Sequence, residues 1–333
     1  MRVILCLFFT CLYTSIAICQ DLFLSPIVKK FCQPGVIHKS PTKGLLLEYE
    51  INPTVRLRNS TGISGSPETG FNKRLNMKLK APIIIRKDLK VIAGWNYYSE
   101  EYNFDRLETD NFRLLSNIDD KHLKSSRLTL SVIKPINRKY YLALKGQASF
   151  NGDYSGMFNF DRKYANYKLL SVFGVQSSPS LEWGIGVLYS FGNRMPVIPI
   201  IMYNHTFNPR WGIEAVLPAK IKLRYNLNDR NIFLFGPELD SRQYYVDNHA
   251  DKAYTMRRRD LKLALSYQRH LGSFFWTEIS GGYTHNFSTK FETNQSGEIQ
   301  DTYDYNSSGS PFLKVGIFIS PSKVLGKKRN RRK

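Results

Sequence analysis

Cysteine is nearly absent from this chain. Of its 333 residues only four are Cys, and Cys6, Cys11 and Cys19 all precede residue 20. Beyond them Cys32 stands alone, and one thiol cannot close an intrachain disulfide. Stability must therefore come from packing or from a membrane. Long hydrophobic runs are missing as well: after residue 19 no stretch approaches the about 18 apolar residues of a spanning helix. Negative charge is scarce, with 27 Asp+Glu against 48 Lys+Arg, a net +21. The common catalytic signatures H-E-x-x-H, G-x-S-x-G, Walker A and C-x-x-C do not occur. Aromatic residues, in contrast, make up 14% of the chain, which argues against disorder because they offset ordering entropy. The mean hydropathy of −0.34 excludes a bundle of membrane helices.

The first residues read as a targeting segment. Arg2 is the only charge before Asp21, and Val3–Cys19 is an uncharged, mostly apolar run. This is the pattern of a secretory signal, with Ala17-Ile18-Cys19 as a cleavage site. A signal anchor is the competing reading, and bulky Ile18 disfavours a lipoprotein at Cys19. The expected organisation is a signal peptide over 1–19, a periplasmic lead-in or partial plug over 20–43, a barrel over 44–320 and a basic tail over 321–333.

Between those ends the chain alternates with a period of two, the strand signal. In Lys220–Leu227, Ile221, Leu223, Tyr225 and Leu227 share one face, and Lys220, Lys222, Arg224 and Asn226 share the other. Arg74–Lys80 and Leu261–Gln268 repeat the pattern. About fourteen strands are expected, at 45–57, 71–85, 89–102, 125–134, 139–151, 166–176, 181–191, 196–207, 211–217, 219–227, 231–240, 257–269, 274–289 and 311–319. If Trp211–Leu227 forms one bent strand, or its hairpin stays outside the membrane, the number falls to about twelve. Most have the length of a tilted membrane-crossing strand.

The connections alternate too. Short turns rich in Asn, Asp, Pro and Gly fall at 86–88, 135–138, 177–180, 208–210, 228–230 and 270–272. Long polar loops fall at 58–70, 103–124, 152–165, 241–256 and 290–310, and short connections near 192–195 and 218 break the rule. This asymmetry predicts an all-β fold, a transmembrane antiparallel β-barrel of about 12–14 strands in a bacterial outer membrane, with both chain ends on the periplasmic side. Aromatics near strand ends, such as Tyr140, Tyr189 and Trp276, suit the interfacial girdles. Implied partners are outer-membrane lipid, lipopolysaccharide and the barrel-assembly machinery. The basic tail suits anionic headgroups rather than nucleic acid.

A resemblance follows from one region. Between Gly184 and Tyr245 a strand precedes Pro196, then come Tyr203-x-x-x-Phe207, Trp211 with Leu217-Pro218 after five residues, and the basic alternating strand with Tyr225. This is similar to a family of uncharacterised Gram-negative outer-membrane β-barrels, catalogued as a domain of unknown function. The resemblance implies location and fold and supplies no activity, ligand or catalytic residue.

No cofactor, metal or catalytic residue is indicated. The six His are scattered, and His205 and His285, though near hydroxyl residues, read as ordinary strand residues. Asp110, Asp119, Asp120, Asp240, Asp247, Asp251, Asp301 and Asp304 read as solvated loop carboxylates. The inward sets of three strands supply the candidate lumen cations Arg74, Lys78, Lys80, Lys220, Lys222, Arg224 and Lys262. Two arrangements are open for them: an uncompensated ring that favours anions, or internal pairing, with Glu214 opposite Lys222 and Glu48, Glu50 and Glu278 neutralising others. The function read from the sequence is a non-enzymatic outer-membrane barrel, either a narrow anion-preferring channel or a structural barrel. A membrane-embedded hydrolase or a secreted β-rich adhesin is the alternative.

Overall fold

A computed structural model describes residues 32, 34–53, 55–59, 68–69, 72–103, 118–119, 121–191, 196–247, 253–295, 298–307 and 309–320. The expected signal segment and basic tail lie outside the described residues. Seventeen strands form in chain order: β1 (Leu45–Asn52), β2 (Val55–Asn59), β3 (Glu68–Thr69), β4 (Asn72–Ile85), β5 (Lys90–Glu101), β6 (His122–Pro135), β7 (Tyr140–Gly152), β8 (Ala165–Ser178), β9 (Leu181–Ser190), β10 (Val197–Thr206), β11 (Trp211–Leu217), β12 (Lys220–Asn228), β13 (Asn231–Val246), β14 (Tyr254–Gly272), β15 (Phe275–Gln295), β16 (Glu298–Ser307) and β17 (Ser310–Ile319). No helix among the described residues is long and apolar enough to cross a membrane.

Fourteen strands form a closed antiparallel barrel of the outer-membrane type. Each is bonded to the next, and β1 closes the ring by pairing with β4 on one side and β17 on the other, from Leu45↔Ile319 to Ile51↔Leu313. Closure leaves no unpaired edge, which hydrocarbon would not tolerate. All fourteen expected strands are present, so the Trp211–Leu227 segment is a hairpin and not one bent strand.

Two expectations need correction. The strand expected over 45–57 ends at Asn52, because Pro53 has no N–H to continue the ladder. The chain resumes as β2, which leaves the wall to pair with β16. The segments 241–256 and 290–310 are not simple loops. β13, β14 and β15 run on for 16, 19 and 21 residues, and β16 packs beside the far part of β15. These extensions carry their apolar residues inward and lack the outward apolar face by which a crossing strand is read.

The connections separate into two ends as expected. At the short-turn end, asparagine side chains close three turns. Asn137, Asn208 and Asn228 each accept backbone N–H groups two or three residues ahead. Outward-facing Trp211, Tyr225, Phe233 and Tyr267 form a chain of rings there, with centroids 4.7, 6.5 and 4.9 Å apart. Tyr140 and Tyr189, expected in an interfacial girdle, also face outward, whereas Trp276, expected with them, is turned inward and buried. At the other end the rim is uneven. β11 and β12 have only 7 and 9 residues and join through residues 218–219, so the wall is low beside them and tall at β13–β15.

The interior is layered. Leu46, Ile232, Trp276 and Phe318 pack at the short-turn end. Charged residues fill the middle. Tyr102, Ile118, Leu123, Tyr244, Val246, Tyr254, Met256 and Phe291 pack at the long-loop end. There β13 crosses to the opposite wall, with Tyr245 pairing to Gly152 on β7. A side chain at Gly152 would collide with the Tyr164 ring and the Tyr245 carbonyl, so glycine permits this approach.

Candidate functional site: the barrel lumen

The register decides which side chains enter the lumen. On β1 the even residues Leu46, Glu48, Glu50 and Asn52 are buried, while Leu45, Leu47, Tyr49 and Ile51 are exposed toward lipid. Carried around the ring, the pairings place all seven sequence-derived cations on the inward face. On β12, Leu223 is 40% exposed and its neighbour Arg224 is 0% exposed.

Four of the seven have carboxylate partners. Arg74 lies 2.8 Å from Glu50 and 2.7 Å from Glu100. Lys262 lies 2.6 Å from the same Glu50. Arg224 lies 2.9 Å from Glu214, and Lys222 lies 3.4 Å from Glu238. Glu214 does stand opposite Lys222 in the register, but its carboxylate turns to Arg224 instead. Ser40 holds it there with its backbone N–H at 2.9 Å and its hydroxyl at 2.7 Å. Lys78, Lys80 and Lys220 have no ion-pair partner among the described residues.

A network spans the lumen. Arg258 on β14 reaches Glu100 on β5 at 3.1 Å and Asp260 at 2.8 Å. Arg242 on β13 pairs with Asp240 at 2.6 Å and lies 3.3 Å from the centre of the Tyr98 ring on β5. Lower down, Lys43 and Lys314 share Glu48 and Glu278. Buried charges need this many partners, since removal from water costs several kcal/mol per ion.

Besides Arg242, Arg258 and Lys314, three inward cations escaped the sequence reading: Arg127 on β6, Lys145 on β7 and Lys168 on β8. Their register partners are Ser149, Ser131 and Gln147. The signal was a lone cation on the polar side of a short alternation, as in Ser125-x-Arg127-x-Thr129-x-Ser131. Lys145 and Lys168 have like-charged neighbours, while Arg127 also lies within electrostatic reach of the Asp240 carboxylate. Lys145 is within electrostatic reach of Arg127, Lys78 and Lys220, and Lys80 within reach of Lys145, Lys220 and Lys43. Arg127 Nε is buried without a hydrogen-bond partner.

Residues 32 and 34–44 line the short-turn end of the lumen. The N–H of Cys32 donates to Asn137 at 3.0 Å and its thiol to Gln176 at 3.2 Å. Gly35 N–H donates to Glu182 at 2.8 Å, the Thr206 hydroxyl to the Ile37 carbonyl at 2.7 Å, and Asn226 to the His38 carbonyl at 3.1 Å. The segment then reaches the β1–β17 seam through Gly44. Burial, reinforced by the Glu182 carboxylate, pushes the Cys32 thiol up to about 11.

His205 and His285 belong to the outward sets of β10 and β15, where each ring packs on a neighbouring Phe at 4.6 and 5.2 Å. Neither faces the lumen hydroxyls. Asp240 is not a loop residue but an inward residue of β13. Asp247 pairs with Lys163 at 2.6 Å and Asp304 with Lys290 at 3.2 Å, while Asp110, Asp120 and Asp251 lie outside the described residues. No group of three His, Cys, Asp or Glu among the described residues is placed to hold a metal ion.

Solved structures similar to this chain are outer-membrane barrels. A Pseudomonas aeruginosa FadL homologue aligns with a TM-score of 0.42 and 10% identity, covering 83% of this chain and 89% of its own. The NanC porin aligns at 0.36 and 7%, covering 83% and 100%. The toluene transporter TodX of Pseudomonas putida aligns at 0.37 and 8%, covering 85% and 92%. No curated protein matches the sequence. The family model described as Domain of unknown function (DUF6268) matches residues 46–320, the whole ring of strands from β1 to β17, and the chain belongs to that family.

Proposed function

We propose that this barrel is a narrow outer-membrane channel that favours anions and has no enzymatic role. The observation that carries this reading is the charge imbalance of one lumen arc. Lys78, Lys80, Arg127, Lys145, Lys168 and Lys220 face inward without a carboxylate partner among the described residues, while Glu48, Glu50, Glu100, Glu214 and Glu278 pair with other cations and Glu182 is held by neutral donors. Low-dielectric walls focus such a field and raise the local anion concentration. Residues 32–43 restrict the passage at the short-turn end. Signal cleavage after Cys19, insertion by the barrel-assembly machinery and lipopolysaccharide around the long-loop rim complete the reading.

A closed structural barrel is the second reading. It is favoured by the Tyr245–Gly152 bridge and the apolar cluster beneath it, which occupy the long-loop end. Reversal potential in a planar bilayer under a salt gradient separates the two. The native protein should select anions, and a Lys80→Glu, Lys145→Glu double variant should shift toward cations. Cation selectivity in the native barrel, or no shift in the variant, would remove the anion channel. A folded barrel with no conductance favours the closed reading.

A further inference from the structure

The lumen arc that carries the unpaired cations has a second property. The interior of a water-filled barrel is polar, but a central band of the inward residues of β8–β11 is aliphatic, between polar residues toward either end. One register row runs Lys145, Leu170, Leu188, Ile198 across β7, β8, β9 and β10. A second runs Met202, Val216, Lys220 across β10, β11 and β12. Each row of apolar side chains therefore ends on a lysine, from opposite sides of the arc. Lys145 and Lys220 also lie within electrostatic reach of each other.

Leu170, Leu188, Ile198, Met202 and Val216 are only half-buried. The outward residues of the same strands, including Leu169, Ile185, Val187 and Ile201, are exposed to the membrane. At the level of these two rows the strands are thus apolar on both faces. A purely structural wall would need apolar residues only on the lipid side. Apolar area left open to an aqueous lumen is a cost that a ligand's apolar part would remove.

The cationic side offers an unused donor. Arg127 Nε is buried with no hydrogen-bond partner. Lys168, next inward on β8 from Asn166, is within electrostatic reach of Arg127. A buried orphan donor beside several unneutralised ammonium groups is complementary to a carboxylate, sulfate or phosphate.

We infer that the arc from β4 to β12 is a binding site for an anionic amphiphile, with its acidic head among Lys78, Lys80, Arg127, Lys145 and Lys168 and its apolar tail along β8–β11. The low rim at residues 218–219 stands over this arc, and the segment 32–40 lies beneath it. The inference deepens the anion-channel reading by naming the class of solute, but it requires binding and not conductance.

The test is equilibrium dialysis of labelled short-chain carboxylates against the full barrel in lipid nanodiscs, with empty nanodiscs as the blank. Octanoate should bind saturably. Affinity should rise about three- to four-fold per methylene from butanoate to octanoate, the increment expected for burying each CH₂. Octanol and inorganic phosphate should each bind at least about ten-fold more weakly than octanoate, since each lacks one half of the recognition. Lys80→Gln with Lys145→Gln should abolish octanoate binding. Leu188→Ser should flatten the chain-length series, and heat-modifiable migration will show that each variant is folded. A flat series in the native barrel, equal binding of octanol, or no binding above the blank would overturn the assignment. Loss of anion selectivity in bilayers with octanoate binding intact would defeat the channel and leave this site standing.

Discussion

The guanidinium of Arg258 lies 3.1 Å from the carboxylate of Glu100, although the two residues are 158 positions apart and sit on opposite walls of the barrel. The contact joins β14 to β5 through the lumen, and Arg74 meets the same carboxylate from β4. Glu100 is thus the acid on which three strands of two facing walls converge.

Removing that carboxylate should be costly. Glu100 is fully buried, and Glu100→Ala leaves Arg74 and Arg258 facing each other with a shared acid gone. Breaking one partner of such a group costs about 3–5 kcal/mol. Urea unfolding of the barrel in lipid vesicles should show a loss of this size, and an unchanged midpoint would mean that the network adds no stability.

The two faces of β12 should respond oppositely to substitution. Leu223 faces lipid, so Leu223→Arg should cost about 2–4 kcal/mol if it lies near the midplane. Lys222 reaches Glu238, whose side chain is 51% exposed, so Lys222→Gln should cost about 0–1 kcal/mol. Folding yield into vesicles reports both, and equal tolerance would contradict the face assignment.

Gly236 should not accept a side chain. Its φ of +147° lies where residues with a Cβ are strained, and a Cβ there would meet the Ile221 carbonyl oxygen on β12. Gly236→Ala should cost about 1–3 kcal/mol. The β12–β13 seam should then exchange its amide hydrogens faster than the rest of the wall. Uniform exchange in the variant would show that the seam absorbs the methyl group.

Docking of the N-terminal segment can be followed through its thiol. With the Cys32 thiol near 11 in the docked state, little thiolate exists at pH 8, and alkylation should be slow and rise about ten-fold per pH unit toward 11. Glu182 accepts from Gly35 N–H, the Tyr141 hydroxyl and Asn204 at 2.8, 2.7 and 2.8 Å. Glu182→Ala should release the segment, bring the thiol back toward an ordinary value and speed alkylation at pH 8 by at least about ten-fold. An unchanged rate would place the anchoring elsewhere.

Much of the fold was legible in the sequence because a membrane barrel imposes one rule on every crossing strand: apolar outward, polar inward. Lys220–Leu227 and Arg74–Lys80 state that rule residue by residue, and the turn formers at Asn208 and Asn228 mark where strands reverse. The extensions of β13–β15 were not legible, since their apolar residues, Tyr244, Val246, Tyr254, Met256 and Phe291, turn inward and leave no outward apolar face to mark a crossing strand. The pairing inside the lumen was beyond the sequence as well. Glu214 stands opposite Lys222 in the register yet bonds Arg224, because Ser40, remote in sequence, orients it. Arg258 and Glu100, and Lys262 and Glu50, approach one another only because the ring closes and its walls draw together. Alternation fixes which side of a strand a residue occupies. Which inward residues meet depends on curvature, stagger and closure, and these are properties of the assembled ring.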